Sequence, residues 1–239
     1  MIVPAYNEAE GVVSTIGEIQ RTLEEQGIEY EVVVVDDGSE DDTFVKALAV
    51  AKGSSNVRVF SYRKNSGKGH AIKYGFQYAR GDLVLFLDAD SDLPAAQIPR
   101  FLGCMIGTDV DIIIGTKRHP LSKVDYPPLR RLLSGAYGLL VRALFNLKVT
   151  DTQTGIKLFR REVLDRVFPK VLTKRYAFDL ELLANASRLG YRIAEAPVEV
   201  NYRFRSRISS SAVAGMFVDT LAIFYRMKIL HYYDRGTVG

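Results

Sequence analysis

A chain of 239 residues with a formal net charge of +4 suits one compact domain with a large core and leaves little room for a second. Its composition, 47% hydrophobic and 25% charged, excludes a disordered or low-complexity chain, and so small an excess of positive charge does not indicate nucleic acid as a partner. The single cysteine, Cys104, excludes an internal disulfide; in the apolar stretch Phe101 to Ile106 it is expected to be a packed thiol rather than a nucleophile, in keeping with a reducing, cytoplasmic compartment.

In chain order, Met1 to Ala5 reads as a clipped first strand, without the basic and long apolar regions of an export signal. Strand-like runs follow at Glu31 to Asp36, Val57 to Tyr62, Leu83 to Asp88 and Asp111 to Gly115. Helical spacing fills the intervals Ala9 to Gln26, Asp41 to Lys52, Gly69 to Ala79 and Ala95 to Gly107. Short apolar strands alternating with helices predict an α/β fold, a mostly parallel Rossmann-like sheet flanked by helices on both faces. In such sheets ligands bind outside the carboxyl ends of the strands.

Polar motifs fall at those ends: Val3-Pro4-Ala5-Tyr6-Asn7-Glu8, Val35-Asp36-Asp37-Gly38-Ser39 and Asp88-Ala89-Asp90-Ser91-Asp92. Each alone could be a turn or a helix cap; their coincidence on one sheet edge points to a site. Asp88 and Asp90, two apart in an extended segment, would face one cation, and Asp92 offers a third ligand. Oxygen ligands suit Mg²⁺ or Mn²⁺, which bridge to substrate phosphates, so a nucleoside diphosphate is the natural partner. Asn65-Ser66-Gly67-Lys68-Gly69 lacks the spacing of a nucleoside-triphosphate-binding loop; its glycines allow close backbone approach, and Lys68 is read as a contact to the nucleotide or its phosphates. His70 is read as structural.

These motifs, in this order, resemble the large family of inverting glycosyltransferases with the GT-A fold. Asp151-Thr152-Gln153-Thr154-Gly155-Ile156-Lys157-Leu158-Phe159 and Ala177-Phe178-Asp179-Leu180-Glu181-Leu182-Leu183 are similar to the branch that makes polyprenyl-phosphate hexoses. Within that branch the glucosyl-transferring type is nearest and the mannose synthases are neighbours. The resemblance implies UDP-glucose or GDP-mannose as donor and a polyprenyl phosphate as acceptor. It places Pro4, Ala5, Tyr6, Glu8, one of Asp36 or Asp37, Lys68 and Ala89 around the nucleotide sugar, with Asp88, Asp90 and Asp92 around the metal. A Gln stands in place of Asp92 in some mannose synthases.

Between Lys117 and Lys148 seven cations, Lys117, Arg118, Lys123, Arg130, Arg131, Arg142 and Lys148, face one acid, Asp125. Apolar residues cover most of the same helix, and a second apolar segment runs from Ala212 to Tyr233. The longest stretch without charge, Ile208 to Val218, is far short of the about 20 residues that cross a bilayer. Two apolar helices with basic edges suit the surface of a membrane, here its cytoplasmic face, with the protein peripheral. The alternatives are a helix pair packed on the sheet or an interface between copies in a homo-oligomer. A phosphate acceptor calls for guanidinium groups, and the candidates are Arg118, Arg130, Arg131, Arg203, Arg205 and Arg207, with Arg118 first because it follows the fifth strand. Asp179 is preferred to Glu181 as the carboxylate facing the site, since residues two apart on a helix point differently. Asp151 and Gln153 are candidates to orient the donor sugar. The chain thus divides into a nucleotide-sugar half (1–116), an acceptor half (117–210) and a C-terminal amphipathic helix (211–239).

Overall fold

The computed structural model describes residues 1–124, 128–175, 177–201 and 210–234, with 128–133 and 210–212 described as backbone alone. Alternation holds through the first half: β1 (Ile2–Ala5), α1 (Val12–Glu25), β2 (Val32–Asp36), α2 (Thr43–Lys52), β3 (Val57–Ser61), α3 (Lys68–Phe76), β4 (Leu83–Phe86), α4 (Ile98–Met105) and β5 (Ile112–Thr116). Then come β6 (Lys123–Val124), α5 (Pro128–Phe145), β7 (Lys157–Arg160), α6 (Arg161–Val167), α7 (Phe178–Arg188), β8 (Ile193–Pro197), β9 (Glu199–Val200) and α8 (Ser210–Phe224), which runs on into a wider turn at Tyr225–Ile229.

Seven strands form one sheet in the order β3-β2-β1-β4-β7-β5-β8, and β6 pairs with β9. All neighbours in the large sheet are parallel except β7, which runs antiparallel to both β4 and β5. Alternation along each strand sends side chains to two cores. Val3, Leu85 and Ile113 join Ile16, Ile19 and Phe101 beneath α1 and α4, while Ile2, Phe86 and Ile114 join Ile72, Phe159 and Phe178 on the opposite face. The strand β7 escapes a composition-based reading because it is short and opens on Lys157, a lysine that is 1% exposed.

Cys104 corrects the expectation of a packed thiol, for it is exposed. The inward stripe of α4 is Ile98, Phe101 and Met105, spaced three and four apart, which turns Cys104 outward. The two C-terminal apolar helices do pack on the sheet. Tyr137 of α5 shares a 3.0 Å hydrogen bond with Thr220 of α8, and the rings of Phe145 and Phe224 meet edge to face. They nevertheless keep an apolar outer surface, with Leu139, Val218, Leu221 and Ile229 each more than half exposed. Among the described residues no helix is long and apolar enough to cross a membrane.

Candidate active site

The strand ends converge on a cavity of about 170 Å³ lined by Pro4, Ala5, Tyr6, Glu8, Asp37, Lys68, Asp88, Ala89 and Asp90. Asp88 and Asp90 do not sit in an extended strand as expected, since β4 stops at Phe86 and the chain turns through Ala89 and Asp90. Ser91 takes a left-handed conformation, φ +59°, which only local bonding sustains in a residue other than glycine. Its hydroxyl lies 2.8 Å from that of Thr15, and the Thr15 hydroxyl also donates to the Ala89 carbonyl at 3.1 Å. The start of α1 thereby clamps the acidic turn. Gly11 is required there: a Cβ would stand 2.7 Å from the Ala89 carbonyl oxygen.

The turn concentrates negative charge. Burial, reinforced by Asp88, pushes the Asp90 carboxyl up to about 6. Burial together with Asp90 and Asp88 raises Glu8 to about 7. Two carboxyls held so far above their ordinary range show how closely negative charge is gathered here, and such a group fits a hard divalent ion that takes one or two carboxylates and completes its shell with phosphate oxygens and water. Among the described residues no three Asp, Glu, His or Cys side chains are gathered to hold a metal by themselves. Asp92 follows in the same turn: its backbone N–H donates to Asp90 Oδ1 at 3.0 Å, and its charge adds to the negative field at Asp90 and Glu8.

Lys68 Nζ pairs with Asp88 Oδ1 at 2.6 Å. Burial opposes its charge, but Asp88 and Asp179 outweigh that and hold it protonated well above the usual lysine range. Asp37 reaches the cavity yet spends both oxygens on the neighbouring loop, accepting from Tyr62 Oη at 2.7 Å and from the N–H groups of Ser66 and Gly67 at 2.8 Å each. It fixes the segment that carries Lys68. Asp36 is buried beside it and accepts from Ser39 N–H, outside the cavity lining.

Past β5 lies the second group of expected residues. Arg118 is exposed and reaches toward the Ser134 hydroxyl of α5 at 3.4 Å. Asp151 is buried; burial works against its charge, but Lys117 and hydrogen bonds from Thr154 and Gln153 hold it below the usual carboxylate range. Gln153 stands beside it, its amide 3.4 Å from the Thr152 hydroxyl. Asp179 is buried and faces Lys157, whose Nζ lies 2.8 Å from Asp179 Oδ1 and donates to the Thr154 carbonyl at 2.5 Å. The side chains of Arg130 and Arg131, and the whole of Arg203, Arg205 and Arg207, lie outside the described residues.

Two contributors escaped the sequence reading. Lys157 joins Asp179 and, through Thr154, Asp151, so charges alternate from Asp88 through Lys68, Asp179 and Lys157 to Asp151 and Lys117. Gly155 brings bare backbone against the Asp88 carboxylate, where a Cβ would overlap it. Their only signal in the sequence is a lysine and a glycine within the segment Asp151 to Phe159.

A doubled carboxylate turn with a paired lysine stands at the carboxyl edge of a mostly parallel sheet, where α/β enzymes bind their ligands. Comparison with known proteins narrows the class: the chain belongs to glycosyl transferase family 2, whose model matches residues 1–168. Dolichyl-phosphate beta-glucosyltransferase ALG5A of Trichomonas vaginalis is 35% identical, over 98% of this chain and 76% of its own length. The Dictyostelium discoideum protein named dolichyl-phosphate beta-glucosyltransferase is 34% identical over 83% of this chain and 64% of its own. Among solved structures, glucosyl-3-phosphoglycerate synthase of Mycobacterium tuberculosis with Mn²⁺ and UDP-glucose superposes with a TM-score of 0.70 at 26% identity, covering 94% of this chain and 76% of that one. The expected GT-A fold is thus the fold observed, and the chain is a glycosyltransferase.

Proposed function

We propose that this chain transfers glucose from UDP-glucose to a polyprenyl phosphate of the dolichyl type, with inversion to a β-linked product. The observation that carries the reading is the donor cavity of Asp88, Asp90 and Lys68 in a chain 35% identical, over nearly its whole length, to a dolichyl-phosphate beta-glucosyltransferase. Residues 1–116 form the donor half and 117–210 the acceptor half. Asp88 and Asp90 would hold Mg²⁺ or Mn²⁺, which supplies neutralisation of charge at the departing diphosphate. Mn²⁺ and UDP-glucose in the superposing synthase support that choice. Lys68 adds a fixed positive charge beside the same oxygens.

The acceptor needs no protein base. A phosphate monoester, with its second pKa near 6, is already a nucleophile at neutral pH. One phosphate oxygen forms the bond to the anomeric carbon as the bond to the diphosphate breaks, the electron pair leaving with UDP; a single displacement inverts the centre. Arg118 is assigned to hold the acceptor phosphate. Labelled UDP-glucose and GDP-mannose, each offered polyprenyl phosphate or 3-phosphoglycerate, test the reading: β-glucosyl lipid is expected from UDP-glucose, while a mannosyl lipid, an α-linked product or glucosylation of the soluble acceptor alone would overturn it. Arg118→Ala should lower kcat/KM for lipid phosphate at least about tenfold, the scale of lost hydrogen bonds to a charged group, with UDP affinity nearly intact.

The exposed apolar outer surface of α5 and α8 supports a peripheral contact with a membrane, which we assign to its cytoplasmic face; among the described residues no helix is long and apolar enough to cross it. The chain is expected to sediment with vesicles containing anionic lipid at low salt and to be released as ionic strength rises, because exposed charges are screened beyond about 8 Å at physiological salt. Indifference to vesicles at low salt, together with a dimer in solution, would assign that surface to a second copy of the chain.

A further inference from the structure

Glu181, on α7, is fully buried and turned away from the donor cavity, yet four groups converge on its carboxylate. Oε2 accepts from the backbone N–H groups of Leu172 at 3.0 Å and Thr173 at 2.6 Å. Oε1 accepts from the Arg226 guanidinium at 3.2 Å and from the Tyr233 hydroxyl. Arg226 also donates to Tyr233 Oη at 2.9 Å. One carboxylate therefore ties the end of α8 and the turn after it to the loop 171–175.

That loop is itself a support. The Lys174 carbonyl accepts from Gly69 N–H at 2.9 Å and His70 N–H at 3.3 Å, both in the first turn of α3, and Lys73 Nζ donates to the Val171 carbonyl at 2.8 Å. Gly67 and Gly69 let it approach: a Cβ on Gly67 would stand 2.6 Å from the Lys174 carbonyl, and one on Gly69 would overlap the Phe178 ring. Lys68, whose ammonium reaches Asp88, sits between these two glycines.

We propose that Glu181 is a positioning residue for the donor site: by fastening Arg226 and Tyr233 to loop 171–175, it holds the first turn of α3 where Lys68 meets Asp88 and the donor phosphates. The inference rests on the donor cavity assigned above. It gives the C-terminal segment, whose outer side exposes Leu221 and Ile229, a share in forming the active site from its inner side. Apolar side chains alone would pack this junction; a buried carboxylate saturated by two backbone amides, a guanidinium and a phenol sets the position of a loop.

The test compares Glu181→Gln and Tyr233→Phe with Arg161→Met in the full chain. Arg161 binds the carbonyls of Gly81 and Ala79 near the amino end of β4, so its loss serves as a control for destabilisation away from the site. Calorimetric titration with UDP and Mn²⁺ should show affinity about tenfold weaker in Glu181→Gln, the range of coupling between linked sites, with a matching rise in donor KM. Amide exchange at Gly69 and His70 should quicken in that variant. Tyr233→Phe, which removes only the phenol's hydrogen bonds to Glu181 and from Arg226 and keeps the fold if Glu181→Gln does not, should weaken UDP binding about threefold. Arg161→Met should lower the thermal midpoint and alter neither UDP affinity nor the two amides. Unchanged UDP affinity with unchanged exchange at Gly69 and His70, or the same changes in Arg161→Met, would overturn the proposal. An unaltered chain that binds no UDP would instead sink the donor reading, and the exchange comparison alone would then decide the role of Glu181.

Discussion

Replacing Asp90 by alanine is expected to reduce glucosyl transfer at least about a hundredfold, the effect of losing a main electrostatic stabiliser of a transition state. The magnitude follows from what surrounds it. Asp90 is half-buried beside Asp88 with a carboxyl raised to about 6, and Glu8 stands near with one raised to about 7, so the cavity holds repulsion that a divalent cation would relieve. Such acids, with pKa values above their unfolded values, take up protons more readily in the folded chain. They destabilise the metal-free fold at and above neutral pH, and that penalty begins to lift as pH falls through about 7 and 6 and is gone only below their ordinary values of 4.5 and 3.8. Mn²⁺ should accordingly raise the thermal midpoint at pH 7.5 and do so less at pH 5.5, where protons compete for the same carboxylates. Asp90→Ala should abolish the Mn²⁺ effect together with transfer. Full activity in EDTA would show that the acidic turn serves another purpose.

The first half of this fold was legible because its strands are continuous apolar runs ending in acids and glycines. Val32 to Asp36 and Ile112 to Thr116 are wholly buried, and burial on both faces leaves no polar alternation to confuse the pattern. The second half hides its logic in side chains of the wrong apparent type. β7 is the antiparallel strand inserted between β4 and β5, and its first residue is a lysine. On α7, Asp179 and Glu181 diverge as helical spacing requires, but both are buried, one toward Lys157 and the other toward Arg226. Spacing foretold the divergence; only the neighbouring elements reveal the partners. The residue types of Asp88-Ala89-Asp90 reveal an acidic site but not its turned backbone, because Ser91 at φ +59° is a conformation that sequence does not announce.

Lys157→Met is expected to be the most damaging change outside the acidic turn. The lysine is 1% exposed and its partner Asp179 5%, so removing the cation leaves a buried carboxylate with its charge uncompensated, which costs about 3–5 kcal/mol. In a chain of this length that corresponds to a thermal midpoint lower by roughly 10 °C. Asp179 also helps to hold Lys68 charged beside Asp88, and Lys157 fixes the Thr154 carbonyl whose neighbour Gly155 abuts Asp88. Transfer should therefore fall at least about tenfold even at temperatures where the variant is fully folded. The double change Lys157→Met with Asp179→Leu separates the two effects. Exchanging a buried ion pair for apolar side chains of similar volume is often neutral for stability, so the midpoint should return most of the way. Activity should not return with it, because the alternation of charge from Asp88 to Asp151 stays broken. Recovery of both in the double variant would reduce Lys157 and Asp179 to a packing pair.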